Sequence, residues 1–290
     1  MDPLPFSWPS ALFTALQALL VALPAAGLPA FARPFVGRWW SLVLPLSIAV
    51  VVGVLAVLPG AASALTWTAL IAVPPLAGGA LGWAMVGARW WLGIAALPLL
   101  AVAIAWDGRI AGELAALTLT ALSCVTLGRL LAAVVGGVAA AAGSGLVWIR
   151  VGLVAMAVID AVLVFSGGLE KPNATLNAAV PAAGLPRLQF LSLDGASLGY
   201  GDVFVAAVLG AVLAAEGASR RVRVAAAGAL LVVGLLFDLL FWVFDTLPAT
   251  VPVAIVTLLF GGFSGGFLLR RPADPPRRRR RIAFSRPPSR

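Results

Sequence analysis

The sequence predicts an all-α polytopic membrane protein with nine transmembrane helices. Hydrophobic residues make up 62% of the 290 residues and charged residues only 11%, whereas a soluble domain is about half apolar and about a quarter charged. The apolar residues also fall into successive runs that are long enough to cross a bilayer. When nine such runs are counted, most of the arginines fall on one side of the membrane, and this asymmetry decides the number.

The predicted spans follow one another along the whole chain. We place them at 10–31, 41–59, 64–87, 90–106, 110–133, 145–168, 198–216, 224–244 and 249–269. The run 130–148 could count as a tenth span, but the early and late arginines would then lie on opposite faces. With nine spans the protein is a multi-pass protein of the cell membrane, with an extracytoplasmic N-terminus and a cytoplasmic C-terminus.

Three regions are predicted. Residues 1–144 hold helices 1–5 as a scaffold, and residues 145–269 hold helices 6–9 with a long connection at 169–197. Residues 270–290 contain nine arginines and one aspartate, so eight of the nine net positive charges lie in this tail. Its prolines and charge indicate disorder. Nucleic acid is an alternative partner for such a tail, but we expect it to bind anionic lipid at the cytoplasmic surface.

The near absence of histidine and cysteine excludes several kinds of site. The chain has no histidine and one cysteine, which excludes disulfides within the chain, Cys/His zinc sites, haem held by histidine, and Ser-His or Cys-His catalysis. We interpret Cys124 as a packing residue, and we expect neither a metal nor a cofactor. Among the common hydrolytic strategies, paired carboxylates remain.

Two aspartates are predicted to lie at one depth in the bilayer. Asp160 is ten residues before Glu170, and Asp202 is eight residues after Asp194. At the helical rise these separations put both carboxyl groups roughly 12–15 Å below the same outer surface. Such a pair could share a proton and activate water as an aspartyl-protease dyad. It could equally belong to the proton relay of a transporter. A third acid, Asp238, is also compatible with a proton relay, although we interpret it as part of a packing or polar network.

The order of the motifs points to a family. Asp160 lies in one span, Gly199-Tyr200-Gly201-Asp202 opens the next, and Leu247-Pro248-Ala249-Thr250-Val251-Pro252 opens the last. This arrangement resembles the presenilin and signal peptide peptidase family of intramembrane aspartyl proteases over 145–269, while the first five spans match only in number. Two positions depart from the family pattern, because Ile159 stands where the family has Tyr and Thr250 where it has Leu.

The resemblance implies a fold, an activity and roles for these residues. It implies a presenilin-like bundle whose catalytic pair is Asp160 and Asp202. It implies that the Gly-Tyr-Gly and Leu247 to Pro252 segments bind substrate, and that the substrates are transmembrane peptides of the signal-peptide or signal-anchor type. The prepilin peptidases also use an Asp followed by Gly-x-Gly-Asp, but they generally place further spans between the acids. The 41 residues between Asp160 and Asp202 cannot hold two more helices.

Two segments near the acids are predicted to leave the helical state. Pro248 and Pro252 bar a regular helix start, so we expect irregular backbone over 247–252, lining a cavity. The alternative is a capped helix start with a proline near its first turn. We also expect part of 187–193 to become a strand when substrate binds, because a protease needs an extended peptide that edge pairing can hold.

The charge map predicts an orientation that reporter fusions can test. Each arginine forced across the bilayer costs about 2.5–3.5 kcal/mol, so the clustered tail should stay in the cytoplasm. A reporter fused after Arg290 should be active only if it needs the cytoplasm, and one inserted within 172–186 only if it needs the periplasm or exterior. The reverse result at both points would overturn the orientation.

Overall fold

The computed structural model describes residues 7–25, 38–58, 60–139, 145–182 and 184–261. Within these ranges the chain forms ten α-helices and one two-stranded antiparallel sheet. The helices are α1 (Trp8–Ala22), α2 (Val43–Val57), α3 (Ala61–Gly79), α4 (Ala96–Ala105), α5 (Ile110–Ala139), α6 (Gly145–Phe165), α7 (Glu170–Ala178), α8 (Tyr200–Ala215), α9 (Arg220–Asp238) and α10 (Val251–Gly261). The strands are β1 (Phe190–Leu193) and β2 (Ala196–Gly199).

The helices are those of a membrane protein. Four are long and apolar enough to cross a bilayer, at Ala61–Ala84, Ile110–Val135, Leu146–Phe165 and Arg220–Trp242. Five more described helices are apolar but shorter, at Trp8–Ala22, Trp40–Leu55, Trp90–Ala105, Tyr200–Ala215 and Val251–Gly261. Four of the nine predicted spans thus contain a helix of membrane-spanning length, and each of the other five contains a shorter apolar helix. The candidate tenth span does not form a separate helix in the described residues, because its first part continues α5.

Helix α8 lies at the centre of the bundle. Every residue from Val203 to Ala214 except Phe204 is buried, and α8 packs against α1, α5, α6, α9 and α10. Two glycines allow its neighbours to approach closely. A Cβ added to Gly128 of α5 would lie 2.9 Å from the carbonyl carbon of Ala207, and one added to Gly210 would lie 2.5 Å from the carbonyl oxygen of Val21 in α1. In a bilayer no hydrophobic effect drives helices together, so close backbone contact of this kind stabilises their packing through van der Waals interactions.

The connection between α6 and α8 is structured. It contains α7 and then the hairpin β1–β2, in which Phe190 pairs with Gly199 and Leu193 with Ala196. Asp194 and Gly195 both have positive φ, as a two-residue type I′ turn requires. The strand that we expected only with bound substrate is therefore already present without it. The reason is the Asp-Gly turn, which pairs the segment with its own chain.

Contacts from two distant helices hold the tip of the hairpin. The indole N–H of Trp8 in α1 donates to Asp194 Oδ2 at 3.1 Å, and the Asp194 N–H donates to Glu113 Oε2 of α5 at 3.0 Å. The hairpin is thus fixed to the scaffold at its turn and to α8 at its other end.

The predicted irregular segment is shorter than expected. Residues 244 and 246–248 have no regular structure and residues 249–250 form a turn, but Val251 and Pro252 already belong to α10. Pro252 fits the first turn of the helix because the N–H that it lacks would have no partner within the helix. The predicted tail at 270–290, the ninth span beyond residue 261 and the junction at 140–144 lie outside the described residues.

One ion pair joins the ends of three helices. Arg150 of α6 binds the carboxylate of Glu216, the C-cap residue of α8. Its Nη1 also donates to the Gly261 carbonyl at the end of α10, at 2.6 Å. Both charged side chains are nearly buried, with 11% and 13% of their surface exposed. Arg150 thus ties together the three helices that carry or follow the sequence motifs, at the end of the bundle away from those motifs.

Breaking this ion pair should destabilise the protein. Arg150→Met removes a nearly buried guanidinium from a nearly buried carboxylate, so we expect the free energy of unfolding to fall by about 3 kcal/mol. Arg150→Met combined with Glu216→Met should be more stable than the single variant, because both buried charges are then removed. Thermal unfolding in detergent micelles measures both, with Arg220→Met, an exposed arginine, as the matched control. Equal losses for Arg150→Met and Arg220→Met would contradict the role of the ion pair.

Candidate active site

Asp160 is buried in α6 and bound by the turn that precedes α10. Only 6% of its surface is exposed. The Thr250 hydroxyl donates to Asp160 Oδ2 at 2.6 Å. Thr250 itself is completely buried. The position that departs from the family pattern therefore supplies a hydrogen bond that a leucine side chain could not make.

Asp202 lies in the first turn of α8. Gly199 is the N-cap residue of this helix, and its backbone N–H lies close enough to the Asp202 carboxyl group to interact with it. An acid at the third helical position next to the N-cap amide has the position of one half of a capping box. A Cβ at residue 199 would lie 2.9 Å from Asp202 Oδ2, which is closer than real Cβ contacts come. Glycine at 199 thus allows the carboxyl group to fold back onto its own helix start.

The two carboxyl groups lie close enough to interact electrostatically. Helices α6 and α8 pack against each other, and Gly201 contributes to this approach. A Cβ at Gly201 would lie 3.4 Å from the Cε atom of Met156, one turn before Asp160. The structure therefore brings together Asp160, Asp202, Gly199, Gly201 and Thr250.

The side chain of Tyr200 lies elsewhere. Its hydroxyl forms a 2.8 Å hydrogen bond with the Ser123 hydroxyl of α5, and its carbonyl oxygen is 4.0 Å from the Cys124 sulfur. The Tyr200 ring therefore lies on the α5 side of α8, where it packs the start of α8 against α5. Buried Cys124 belongs to the same contact.

The remaining residues of the 247–252 segment divide between two environments. Leu247, Ala249 and Pro252 line a cavity of about 120 Å³ beside the acids. Pro248 is buried, and its carbonyl oxygen accepts the Val251 N–H at 3.1 Å, which begins α10. The segment therefore contributes both a cavity wall and the donor group of Thr250.

Sequence reasoning missed the contribution of α1. Gln17 of α1 is buried, and its amide donates to the Asp202 carbonyl oxygen at 3.1 Å. Thr14, one turn earlier, donates to Asp238 Oδ2 at 3.0 Å. The available signal was the presence of these polar residues in an otherwise apolar span, because buried polar groups in a bilayer must find partners in the protein. Their partners lie about 200 residues away, so the signal does not identify them.

The described ranges contain no group of three or more His, Cys, Asp and Glu side chains that could hold a metal ion. The groups that the site offers are two interacting carboxyl groups, the Thr250 hydroxyl that binds one of them, and a small cavity lined by neighbouring residues.

Comparison with known proteins finds no match. No family model, no curated protein and no solved structure is significantly similar to the chain. A functional assignment therefore depends on the residues of the site and on their geometry.

Removing the Thr250 hydroxyl should weaken the fold through Asp160. Thr250→Val keeps the shape of the side chain but leaves a buried acceptor with one donor fewer, so we expect a loss of about 1–3 kcal/mol in the free energy of unfolding. Thr257→Val is the matched control, because Thr257 is also buried in α10 but donates only to the Val253 carbonyl of its own helix.

A double-mutant cycle separates the hydrogen bond from packing. In an Asp160→Ala background the Thr250→Val substitution should cost much less, since the acceptor is gone. An undiminished loss in that background, measured by chemical or thermal unfolding in micelles, would show that the hydroxyl acts through something other than Asp160.

Proposed function

We propose that this protein is an intramembrane aspartyl endopeptidase that hydrolyses a peptide bond within or near the transmembrane segment of its substrate. The observation that carries the proposal is the interacting pair Asp160 and Asp202 on adjacent apolar helices. Ionisable groups in such helices are costly and are kept mainly where they have a task. The resemblance to the presenilin and signal peptide peptidase family leads to the same assignment.

The pair can perform general acid–base hydrolysis. Two adjacent carboxyl groups hold one proton between them. The ionised member removes a proton from a water molecule as the water oxygen attacks the peptide carbonyl carbon. The protonated member gives its proton to the carbonyl oxygen, so a tetrahedral diol forms and the pair again holds one proton. When the C–N bond breaks, a proton passes to the leaving nitrogen, and a carboxylic acid and an amine are released.

The hairpin offers a means of holding the substrate in an extended conformation. In the described part of the chain β2 pairs only with β1, so its other edge has no strand partner. Ser197 and Leu198 of β2 line the cavity, and β2 leads directly into the helix start that carries Asp202. A peptide added to this edge would lie beside the two acids with its backbone hydrogen-bonded.

Two features separate this proposal from its alternatives. The described residues between α6 and α8 form a short polar helix and a hairpin, with no further apolar span, which favours the presenilin-like arrangement over the prepilin peptidases. A transporter relay would use Asp238 together with the pair. Asp238 instead binds Thr14, and the electrostatic partner of Asp202 is Asp160.

The proposal includes an orientation and a substrate class. The charge pattern puts the N-terminus and the hairpin outside the cell and the basic tail in the cytoplasm, where it binds anionic lipid. Substrates would then be signal-peptide or signal-anchor segments with a cytoplasmic N-terminus. Their C-terminal part would lie nearest to the hairpin.

Loss of either acid should abolish proteolysis. We expect purified wild-type protein to cleave members of a panel of signal-anchor peptides, and Asp160→Ala and Asp202→Ala each to be inactive but folded. The double variant should be no worse than either single variant, because the two residues act as a unit. Mass spectrometry of the products measures cleavage, and Asp245→Ala, which removes an exposed acid, is the matched control. Substantial cleavage by either single variant would contradict the dyad.

A further inference from the structure

A second polar site lies next to the two acids. The cavity of about 120 Å³ is enclosed by α1, β2, the end of α9 and the segment before α10. The residues that line it include Asp238 and the hydroxyl-bearing residues Ser10, Thr14 and Ser197. A dry cavity of about 150 Å³ can hold a benzene molecule, so this one is large enough for the end of a single side chain.

The protein is built to hold Asp238 at this cavity. Thr14 is buried, and its hydroxyl donates to Asp238 Oδ2 at 3.0 Å. Gly234 lies one turn before Asp238 in α9, and a Cβ there would lie only 2.5 Å from the Thr14 Cγ2 atom. Glycine at 234 thus lets α1 come close enough for Thr14 to reach the acid. The close packing of α1 on α9 at this point therefore allows the Thr14 hydroxyl to bind the Asp238 carboxyl group.

The second carboxyl oxygen of Asp238, Oδ1, can accept a hydrogen bond from a ligand. Within the described ranges no hydrogen bond reaches Oδ1, and no arginine or lysine forms an ion pair with this residue. Asp238 is only partly buried, and it ends α9 near the predicted outer surface. A cationic side chain can extend to such a level from a neighbouring segment, with its apolar stem in the bilayer and its charged end at the acid.

Two residues that line the cavity connect it to the proposed catalytic pair. Ala249 lines the cavity, and the next residue, Thr250, binds Asp160. Gln17 also lines the cavity, and it binds the Asp202 carbonyl oxygen. The free edge of β2 passes along the same space through Ser197 and Leu198. A peptide that reached the two acids along β2 would therefore pass the opening of this cavity.

We propose that the Asp238 cavity is a specificity pocket that accepts a hydrogen-bond-donating side chain, lysine best of all, from the substrate segment on the C-terminal side of the cleaved bond. This inference rests on the proposed protease function, and it adds the chemical class that the enzyme selects. The C-terminal side follows from the orientation, because β2 and Asp238 both lie toward the outer surface. Acidic side chains at the same position are rejected, since like charges repel at short range.

A lysine scan tests the pocket. Residues of a cleaved signal-anchor peptide are replaced singly, on the C-terminal side of the cleaved bond, by lysine, norleucine or glutamate. At one position the wild-type protein should prefer lysine to norleucine by about tenfold or more in kcat/KM, as expected for a charge-assisted hydrogen bond. Asp238→Asn keeps an acceptor for Thr14, and it should reduce this ratio to about twofold or less. Asp245→Asn, an exposed acid seven residues away, is the matched control and should keep the wild-type ratio.

Binding measurements separate this inference from the proteolytic function. The same peptides, labelled with a fluorophore, are titrated onto Asp202→Asn protein with and without Asp238→Asn, so that affinity is measured without cleavage. A lysine preference that disappears with Asp238→Asn supports the pocket even if no peptide is cleaved by the wild-type protein. No lysine preference in either assay, or a preference that survives Asp238→Asn, would overturn it.

Discussion

Lipid hydrocarbon offers no hydrogen-bond partner, so each acid in the helices of this protein must find one within the protein. Asp160 is bound by Thr250, Asp202 lies next to the Gly199 amide, and Asp238 is bound by Thr14. In each case the partner can reach the acid only because the backbone is close, irregular or free of a side chain at that point. This requirement explains why glycines, a broken helix start and polar residues of α1 converge on one end of the bundle.

The same requirement determines how the helices are arranged around α8. The carboxyl group of Asp202 lies at the start of its own helix, while the groups that hold the other two acids come from α1 and from the turn before α10. Helix α1 therefore contacts Asp238 and the backbone of Asp202, although the sequence analysis groups it with the first five helices as a scaffold. At the opposite end, Arg150 joins α6, α8 and α10. The two helices that carry Asp160 and Asp202 are thus held by contacts at both ends.

The sequence is sufficient to predict the helical class, the positions of the apolar helices and the approach of Asp160 to Asp202. These follow from local patterns, namely apolar runs and equal depths along helices. The preformed hairpin could also have been predicted, because Asp194-Gly195 is a strong turn signal. The contacts made by Trp8, Gln17 and Thr14 could not, since each joins residues about 185 or more positions apart. The start of α10 at Val251 could not be predicted either, because the sequence allows either Pro248 or Pro252 to lie in the first turn of the helix.

The junction between β2 and α8 has a geometric consequence. Strand β2 ends at Gly199 and α8 begins at Tyr200, with no residue between them. A peptide paired with β2 advances by about 3.3 Å per residue, and its hydrogen bonds recur every second residue. The distance from the first paired residue to Asp202 is therefore a fixed number of residues, whatever the side chains are. In the proposed protease, pairing with the hairpin would therefore set the distance from the first paired residue to the cleaved bond. If the peptide shifts to the next equivalent register, the product length changes by two residues.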